Sequence, residues 1–376
     1  MSEKLKVLLI TGAYPPVRCG VGDYAARLAA ALHRRPDVQI AVLTSKRPAG
    51  APTRDGGVDV RAEMRGWRLR GLPQYWRVAR EFAPDLVHLQ FPTQSYNAVT
   101  GLAVLPASTR ILLGIPVVET LHEYFPGGFS RIKACMCAMA LTASALIAVR
   151  PCYRERMPPA LRPLLGKRPF RFIPNASAIP AVTLTSGERA SERESIGSGV
   201  RQVLAHFGFA YPHKGVERLF EVADHQHHHL LLIGDLSPDD AYHAKLLSLA
   251  ASPAWKGHVT VTGYVDARRA ARLLAASDAA VFPFVDGGGI WNSSLHAATD
   301  QGTFVLTTST ERHGYDAEAN IYYARPDDPA DMRAALNAYI GVRSPSPVSD
   351  GQDEWARIAR NHVKLYRRVL GRPEIA

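Results

Sequence analysis

Short apolar runs recur along this chain of 376 residues, and they show no alternation between polar and apolar positions. The first, at 6–11, reads Lys-Val-Leu-Leu-Ile-Thr and ends in a turn that contains glycine and two prolines. An uninterrupted apolar run of this length predicts a strand buried on both faces, which is typical of parallel sheets covered by helices. Further strands of this kind are predicted at 38–43, 86–90, 117–121, 145–149, 171–173, 201–207, 230–233, 259–262, 279–282 and 304–307.

Helical or loop stretches separate the predicted strands, so the chain is expected to be an α/β protein with two doubly wound, Rossmann-like domains. The domains are expected at 1–180 and 201–350, followed by a C-terminal helix within 351–376. A linker or mobile loop is predicted at 181–200, because this stretch is rich in Ser, Gly, Glu and Arg and has no apolar periodicity. Helices are predicted at 23–33, 216–224, 241–250, 268–276, 294–301, 329–340 and 354–370, with a Ser/Pro break at 344–351.

The composition excludes several classes of protein. With 47% hydrophobic and 21% charged residues, the chain is neither disordered nor collagenous. Its four cysteines are too few and too irregularly spaced for a disulfide framework, so a reduced, cytoplasmic location is expected. His225 and the three histidines at 227–229 have no further ligand at metal spacing, which favours a solvated loop over a zinc site.

The positive charge is concentrated in the first half of the chain. Residues 1–180 contain 25 Lys and Arg against 11 Asp and Glu, whereas 181–376 contain 20 against 23. Such a one-sided field suggests an anionic partner, and solubility alone is the alternative. No zinc finger, RNP-like aromatic pattern or basic heptad helix is visible, so nucleic acid is not the expected partner.

A basic and aromatic segment at 61–80 suits the interface of an anionic membrane. Its aromatic residues are Trp67, Tyr75 and Trp76. The arginines between them are Arg61, Arg65, Arg68, Arg70, Arg77 and Arg80.

A glycine-containing loop at 12–22 joins the first predicted strand to the first predicted helix. Glycines at such a junction let backbone amides approach a phosphate, and the helix N-terminus adds partial positive charge. Gly20 and Gly22 lack the third glycine of the dinucleotide fingerprint, so a purely structural turn remains the alternative.

Two side chains are predicted to carry chemistry. His122, followed by Glu123, comes directly after the strand at 117–121, at the edge where open α/β sheets bind ligands. Lys214 comes before the predicted helix at 216–224, where its charge could neutralise a departing diphosphate. The structural alternatives are a satisfied core histidine and a solvated surface lysine.

A second phosphate cradle is predicted at 287–294, where three consecutive glycines precede Ile-Trp-Asn-Ser-Ser. A serine N-cap and free backbone amides at the start of a helix would bind an anion. Because a cradle opens the first domain and the second domain contains this cradle and Lys214, a ligand that bridges the two would carry a phosphate or diphosphate.

The order of these motifs resembles glycosyltransferases of the GT-B fold, family 4 type. The matching stretches are 14–24, 85–88, 120–123, 173–175, 214–215, 261–264, 277–284 and 302–305. The resemblance implies transfer of a sugar from a UDP- or GDP-type nucleotide sugar to an acceptor hydroxyl, with retention of configuration. It also implies a donor bound in the cleft that the two domains face, no metal ion, and a terminal helix that crosses back to the first domain.

The same resemblance implies roles for individual residues. His122 is expected beside the transferred sugar and Lys214 at the diphosphate. Donor contacts are expected from Gly20, Gly22, Phe209, Gly263, Tyr264, Val265, Asp286, Gly288, Gly289, Asn292, Ser293, Ser294 and Leu295. Acceptor-side contacts are expected from Tyr14, Asp23, Tyr24, Gln90 and Glu123.

The sequence departs from the family pattern at two places. Phe209 stands where an arginine is usual, and Gly289 and Ala297 occupy the positions of a usual glutamate pair. The run at 293–295 resembles a Gly-Ser-Leu variant of this loop. The alternative to an enzyme is therefore a catalytically reduced GT-B protein that binds a nucleotide sugar or acts as a scaffold.

The expected products are a glycan, a glycolipid or a glycosylated metabolite. A lipid-linked or phosphorylated acceptor fits the basic half of the chain, and a soluble small molecule is the other possibility. The expected location is the cytoplasm, with peripheral contact at the inner face of a membrane.

Overall fold

The computed structural model describes residues 4–93, 95–96, 100–128, 130–344 and 351–373. The chain forms two compact units. The first unit contains the chain up to Asn175 together with the stretch that begins at Asp353, and the second unit runs from Ala176 to Gln352. Of the Ser/Pro break predicted at 344–351, residues 345–350 lie outside the described residues.

The first unit is built on an eight-stranded sheet in the order β3-β4-β2-β1-β5-β6-β7-β8. All neighbours are parallel except β3 and β4, which form an antiparallel hairpin. The strands are β1 (Leu5–Ile10), β2 (Val38–Ser45), β3 (Arg54–Asp55), β4 (Val58–Met64), β5 (Leu86–Phe91), β6 (Val117–Leu121), β7 (Ala145–Ala148) and β8 (Phe170–Phe172). The hairpin at the sheet edge was not predicted, because β4 mixes polar with apolar residues and lacks a continuous apolar run.

Helices cover both faces of this sheet. They are α1 (Gly20–His33), α2 (Leu72–Phe82), α3 (Thr100–Leu113), α4 (Arg131–Thr142) and the single turn α5 (Leu161–Leu164). Between β5 and β7, α3 and α4 pack against each other. The core beneath α2, α3 and α4 includes the fully buried Leu89, Leu121 and Met139. Burial on both faces explains why the central strands are continuous apolar runs.

The second unit repeats this plan with a seven-stranded sheet in the order β11-β10-β9-β12-β13-β15-β14, in which only β14 is antiparallel. Its strands are β9 (Gln202–Phe207), β10 (His228–Ile233), β11 (Val259–Val261), β12 (Ala279–Phe282), β13 (Phe304–Thr308), β14 (Gly314–Asp316) and β15 (Ile321–Ala324). Its helices are α6 (Ser186–Ser195), α7 (Leu219–Val222), α8 (Ala241–Ala250), α9 (Ala267–Ala276), α10 (Ser293–Thr299) and α11 (Pro329–Tyr339).

The terminal helix, α12 (Gly351–Val369), packs on the first unit. Arg367 donates to Asp37 at 3.1 Å, and Arg372 after the helix donates to Asp85 at 2.6 Å. These two charge-assisted hydrogen bonds hold the end of the chain against the N-terminal ends of β2 and β5.

The prediction of a mobile linker at 181–200 is wrong, because α6 lies in it. Thr185 caps this helix in a reciprocal capping box with Glu188. Arg193 donates to the carboxylate of Asp278 at 2.5 Å, which ties α6 to the start of β12. The polar sequence is therefore explained by ion pairs of a surface helix and not by flexibility.

The prediction of a solvated histidine loop is also wrong in part. His228 and His229 are the first two residues of β10, and both are buried. The His229 Nε2 lies 2.8 Å from the Thr260 hydroxyl. His225 and His227 precede the strand and are exposed or half-exposed. Among the described residues, no group of three His, Cys, Asp or Glu side chains could hold a metal ion.

Two of the three aromatic residues of the 61–80 segment are buried and so do not present their rings to a membrane surface. Trp67 and Tyr75 are buried, and their polar atoms bind the Ser45 hydroxyl at 2.8 Å and the Thr109 hydroxyl at 2.7 Å. Trp76 is half-buried.

No helix in the described part of the chain is long and apolar enough to cross a membrane.

Glu119 is a buried carboxyl group in the middle of β6. Its side chain is fully buried, and neither carboxyl oxygen has a hydrogen-bond partner among the described residues. Because burial penalises the charged form, it raises the pKa of Glu119 from 4.5 to about 8. The folded protein therefore holds a proton at neutral pH that the unfolded chain releases.

We expect Glu119→Gln to remove a pH dependence of stability. Between about pH 4.5 and pH 8 the wild-type protein loses stability as pH rises, since the unfolded carboxyl ionises first. The variant should be more stable than wild type by about 2–4 kcal/mol at pH 8 and equal to it near pH 4.5, as measured by urea unfolding. Glu155→Gln, at an exposed position, is the control. Parallel pH profiles for Glu119→Gln and wild type would contradict this account.

Candidate active site

The carboxyl ends of β1 and β5 meet at the point where the strand order of the first sheet reverses. Open α/β sheets bind ligands at this position. Gly12 follows β1, and a Cβ there would lie 2.1 Å from the Thr93 hydroxyl oxygen that follows β5. Without a side chain at position 12, the loop after β1 can lie this close to Thr93 in the loop after β5.

A chain of buried hydrogen bonds starts from His122 at this edge. The His122 Nε2 lies 2.8 Å from Gln90 Oε1, and Gln90 Nε2 lies 3.0 Å from His88 Nε2. His88 also bonds to the Thr120 hydroxyl at 2.7 Å and, through Nδ1, to the Tyr366 hydroxyl at 2.6 Å. His122 is therefore positioned by β5, β6 and α12 together.

The buried histidines at this edge, His122, His88 and His362, are neutral at pH 7. Burial lowers the pKa of His122 to about 3, with a smaller effect from the positive charge of Arg150. Burial likewise puts the pKa of His88 well below 6.5 and that of His362 at about 4. A neutral imidazole has one N–H donor and one lone pair, so His122 can orient a hydroxyl group but carries no charge.

The ring of Tyr24 packs directly against that of His122. Their rings meet edge to face with centroids 4.8 Å apart, and Trp355 of α12 meets the other side of Tyr24 at 5.3 Å. Tyr24 is buried, and its hydroxyl has no hydrogen-bond partner among the described residues.

The other residues predicted on the acceptor side lie around this edge with different partners. Tyr14 is buried and donates its hydroxyl to Asp55 at 3.0 Å. Burial raises the pKa of Asp23, in the first turn of α1, to about 6. Glu123 is exposed and forms an ion pair with Arg150, whose Nε also donates to the His122 carbonyl at 3.1 Å.

Gly20 and Gly22 have different roles at the start of α1. A Cβ on Gly22 would lie 2.9 Å from the Ala13 carbonyl oxygen, so this glycine lets the helix pack on the loop. Gly20 is the exposed first residue of α1, and a Cβ there would meet no atom within 4 Å. Of these two glycines, Gly20 has open space beside its backbone and Gly22 does not.

Lys214 lies at the corresponding edge of the second sheet, where the strand order reverses between β9 and β12. The helix predicted to follow it is a 3-10 turn at Val216–Arg218 and the single turn α7. The Lys214 ammonium lies 4.6 Å from the centre of the Phe284 ring. Gly215 has φ of +62°, and a Cβ there would lie 2.3 Å from the Pro283 carbonyl oxygen, so glycine is required.

The glycine loop after β12 is joined to the lysine turn by a hydrogen bond from Val285 N to His213 O at 3.1 Å. Gly288 N donates to Thr308 O at 2.7 Å, which fixes the loop to the end of β13. The predicted serine N-cap is wrong: Asn292 precedes α10, and its side chain accepts from Gly289 N at 3.0 Å instead of capping the helix.

The remaining predicted donor residues lie around these two loops. Ser293 and Ser294 are half-buried at the start of α10, Leu295 is part of the core, and Asp286 is exposed. The ring of Phe209 is tilted by 31° against that of Tyr211, with ring centres 6.2 Å apart.

The Gly263–Val265 segment follows the edge strand β11. Gly263 has φ of +67°, Tyr264 is 68% exposed, and Val265 packs on the core. Two strand spacings, about 10 Å, separate the exits of β11 and β9.

His206 was not predicted, although it lies beneath Lys214. It is buried near the end of β9, donates from Nδ1 to Val281 O at 3.0 Å, and lines a small cavity with Gly208, Val216 and Gly234. Burial, with a smaller effect from the charge of Lys214, lowers the pKa of His206 to about 4. The signal in the sequence was a histidine inside an otherwise apolar run, between Ala205 and Phe207.

Comparison with known proteins supports the fold. Residues 19–176 match the model of the glycosyl transferase 4-like domain. No curated protein matches the chain significantly.

Similar solved structures are glycosyltransferases and related synthases with low sequence identity. HepE of Anabaena, solved with UDP-glucose, is 16% identical with a TM-score of 0.70, and the match covers 98% of both chains. Sucrose-phosphate synthase of Thermosynechococcus elongatus is 16% identical with a TM-score of 0.74, covering 98% of this chain and 100% of that one. WaaG, described as a glycosyltransferase of lipopolysaccharide biosynthesis, is 17% identical with a TM-score of 0.60, covering 96% and 97%. The chain has the GT-B fold.

We expect Gly288→Ala to destabilise the second unit. A Cβ at this position would lie 2.2 Å from the Phe284 ring and 3.1 Å from the Thr307 hydroxyl oxygen. Overpacking of this kind costs about 1–3 kcal/mol, so thermal unfolding should occur at a lower temperature. Gly187→Ala, where a Cβ would meet nothing within 4 Å, is the matched control. Equal unfolding temperatures for the two variants would contradict a packing role for Gly288.

Proposed function

We propose that this protein is a glycosyltransferase that moves a sugar from a nucleotide-diphosphate sugar to an acceptor hydroxyl. The observation that carries the proposal is the junction of the Lys214 turn with the glycine loop through the Val285 N to His213 O bond. This junction brings the Lys214 cation to the strand ends where α/β sheets bind ligands, beside the turn that contains Gly288 and Gly289. The match of residues 19–176 to a glycosyl transferase model and the UDP-bound HepE structures support it.

In the proposed reaction the second unit binds the donor, and the first unit binds the acceptor. The acceptor hydroxyl attacks the anomeric carbon on the face that the diphosphate leaves, so configuration is retained. The bond from carbon to the phosphate oxygen breaks, and that oxygen takes the acceptor's proton. Lys214 stabilises the charge on the departing diphosphate, and the neutral His122 orients the sugar through a hydrogen bond.

No metal ion takes part in the proposed reaction. Lys214 supplies the positive potential that a divalent cation supplies elsewhere. The Gly263–Val265 segment, which follows the edge strand β11, is proposed to contact the nucleoside. Ser293 and Ser294 are proposed to contact the sugar and phosphates.

A second candidate function is binding of a nucleotide sugar without transfer. It is favoured by the residues at the two positions where related proteins usually have glutamates. Ala297 is fully buried in the core, and Gly289 is buried with its amide bonded to Asn292. Neither position offers a carboxylate to the ribose or the sugar.

We also propose that the first unit contacts an anionic lipid surface, which would present a lipid-linked acceptor. The support is a set of exposed apolar side chains on α3 and the turn before α2, with Ile111 80%, Leu69 55% and Leu112 52% exposed. Exposed arginines accompany them at Arg68, Arg70, Arg110 and Arg131. Helices α3 and α4 contain no acidic residue. Apolar side chains among arginines suit an interface with anionic lipid.

We expect Lys214→Ala to lower turnover by roughly 10²-fold or more, because a charge aimed at the leaving group is lost. The assay is release of nucleoside diphosphate from a panel of UDP- and GDP-sugars, with and without EDTA. Lys256→Ala, which removes an exposed lysine of the same unit, is the control. EDTA should have no effect.

Binding of a donor in a thermal-shift assay without release of nucleoside diphosphate would favour the second candidate. An unchanged rate in Lys214→Ala would remove this residue from the mechanism.

We expect the double substitution Ile111→Ser and Leu112→Ser to reduce flotation with anionic vesicles several-fold, since burial of both side chains in the interface is lost. Val200→Ser, at a fully exposed position of the second unit, is the control. Vesicles without anionic lipid should bind none of the three proteins. Equal flotation of all three proteins, or no dependence on anionic lipid, would contradict the membrane contact.

A further inference from the structure

The hydrogen bonds from His122 to the terminal helix have a defined direction, because an amide nitrogen only donates and an amide oxygen only accepts. Gln90 Oε1 faces the His122 Nε2 at 2.8 Å, so His122 carries its proton on Nε2 and donates it. Gln90 Nε2 faces the His88 Nε2 at 3.0 Å, so that nitrogen holds a lone pair. The proton of neutral His88 is then on Nδ1, which donates to the Tyr366 hydroxyl oxygen at 2.6 Å.

We infer that Tyr366 of α12 is a positioning residue that sets the tautomer of His122 through His88 and Gln90. The four side chains form one relay in which every donor points the same way, from His122 to Tyr366. Reversing any member requires reversing the others, because each nitrogen of a neutral imidazole is either a donor or an acceptor. The inference rests on the proposed function only where it concerns turnover.

Burial makes the relay sensitive to each member. His88, Gln90 and Tyr366 have no exposed surface, so water is not available to replace a lost partner. The neighbouring His362 does not compete, since its Nδ1 donates to Ile358 O at 2.8 Å and its ring centre lies 5.4 Å from that of His88. The Thr120 hydroxyl, 2.7 Å from the His88 Nε2, donates to the same lone pair as Gln90 and reinforces this state.

Removing the Tyr366 hydroxyl should reverse the relay. In Tyr366→Phe the His88 Nδ1–H would be buried without an acceptor, so the proton moves to Nε2. The Gln90 amide then turns to accept from His88 and donates its NH₂ group to the His122 Nε2. His122 consequently carries its proton on Nδ1, and the lone pair that it offers to the sugar is replaced by a donor.

The direct test is ¹⁵N NMR of the full-length protein labelled in histidine. In wild type, His122 should show a protonated Nε2 and His88 a protonated Nδ1. In Tyr366→Phe both assignments should reverse. Tyr75→Phe removes a buried hydroxyl of the same unit that bonds to Thr109 at 2.7 Å, outside the relay, and should leave both tautomers unchanged.

The wild-type spectrum tests the relay even if Tyr366→Phe does not fold. A wild-type His122 protonated on Nδ1, or a folded Tyr366→Phe with unchanged tautomers, would overturn the inference. Neither measurement needs turnover, so the relay can stand where the proposed transfer fails.

Kinetics then test whether the relay serves the reaction. Outer partners of metal-bound histidines are worth about 10- to 100-fold, and we expect an effect at the lower end of this range here. Tyr366→Phe should lower kcat by roughly 10-fold with the donor KM unchanged, and it should have no further effect in a His122→Ala background. Additive losses in the double variant would show that Tyr366 acts independently of His122 and would overturn its role as a positioning residue.

Discussion

Parallel strands with helices on both faces constrain everything else in this protein. Such a sheet has no solvent-exposed face, so polar side chains that act on a ligand lie where the strands end. In the first unit this edge presents His122, and in the second it presents Lys214 and the glycine loop. The close approaches of Gly12 to Thr93 and of Gly215 to Pro283 show how tightly the loops at the two reversal points are held.

The first unit depends on the terminal helix for more than packing. Trp355 of α12 contacts the ring of Tyr24, which lies against His122. Tyr366 bonds to His88, which is connected to His122 through Gln90. The same helix is held to the sheet by Arg367 and, beyond its end, by Arg372. A residue more than two hundred positions from His122 in the sequence thus contributes to its environment.

The sequence predicted the central strands well because burial on both faces makes them apolar throughout. It also located His122 and Lys214, since both follow such strands. It did not predict β4 or α6, because their polar residues are explained by an edge position and by ion pairs with partners such as Asp278. The burial of Trp67 and Tyr75 and the bond between His88 and Tyr366 depend on contacts distant in sequence, which local patterns do not encode.

The central claim is that the second unit binds a diphosphate at the junction of the Lys214 turn and the glycine loop. The most direct measurement is a crystal structure of the protein soaked with UDP-glucose and with GDP-mannose at saturating concentration. The account predicts diphosphate density within hydrogen-bond distance of the Lys214 ammonium, beside Gly288 and Gly289. Diphosphate density elsewhere on the molecule, with this junction empty, would contradict it.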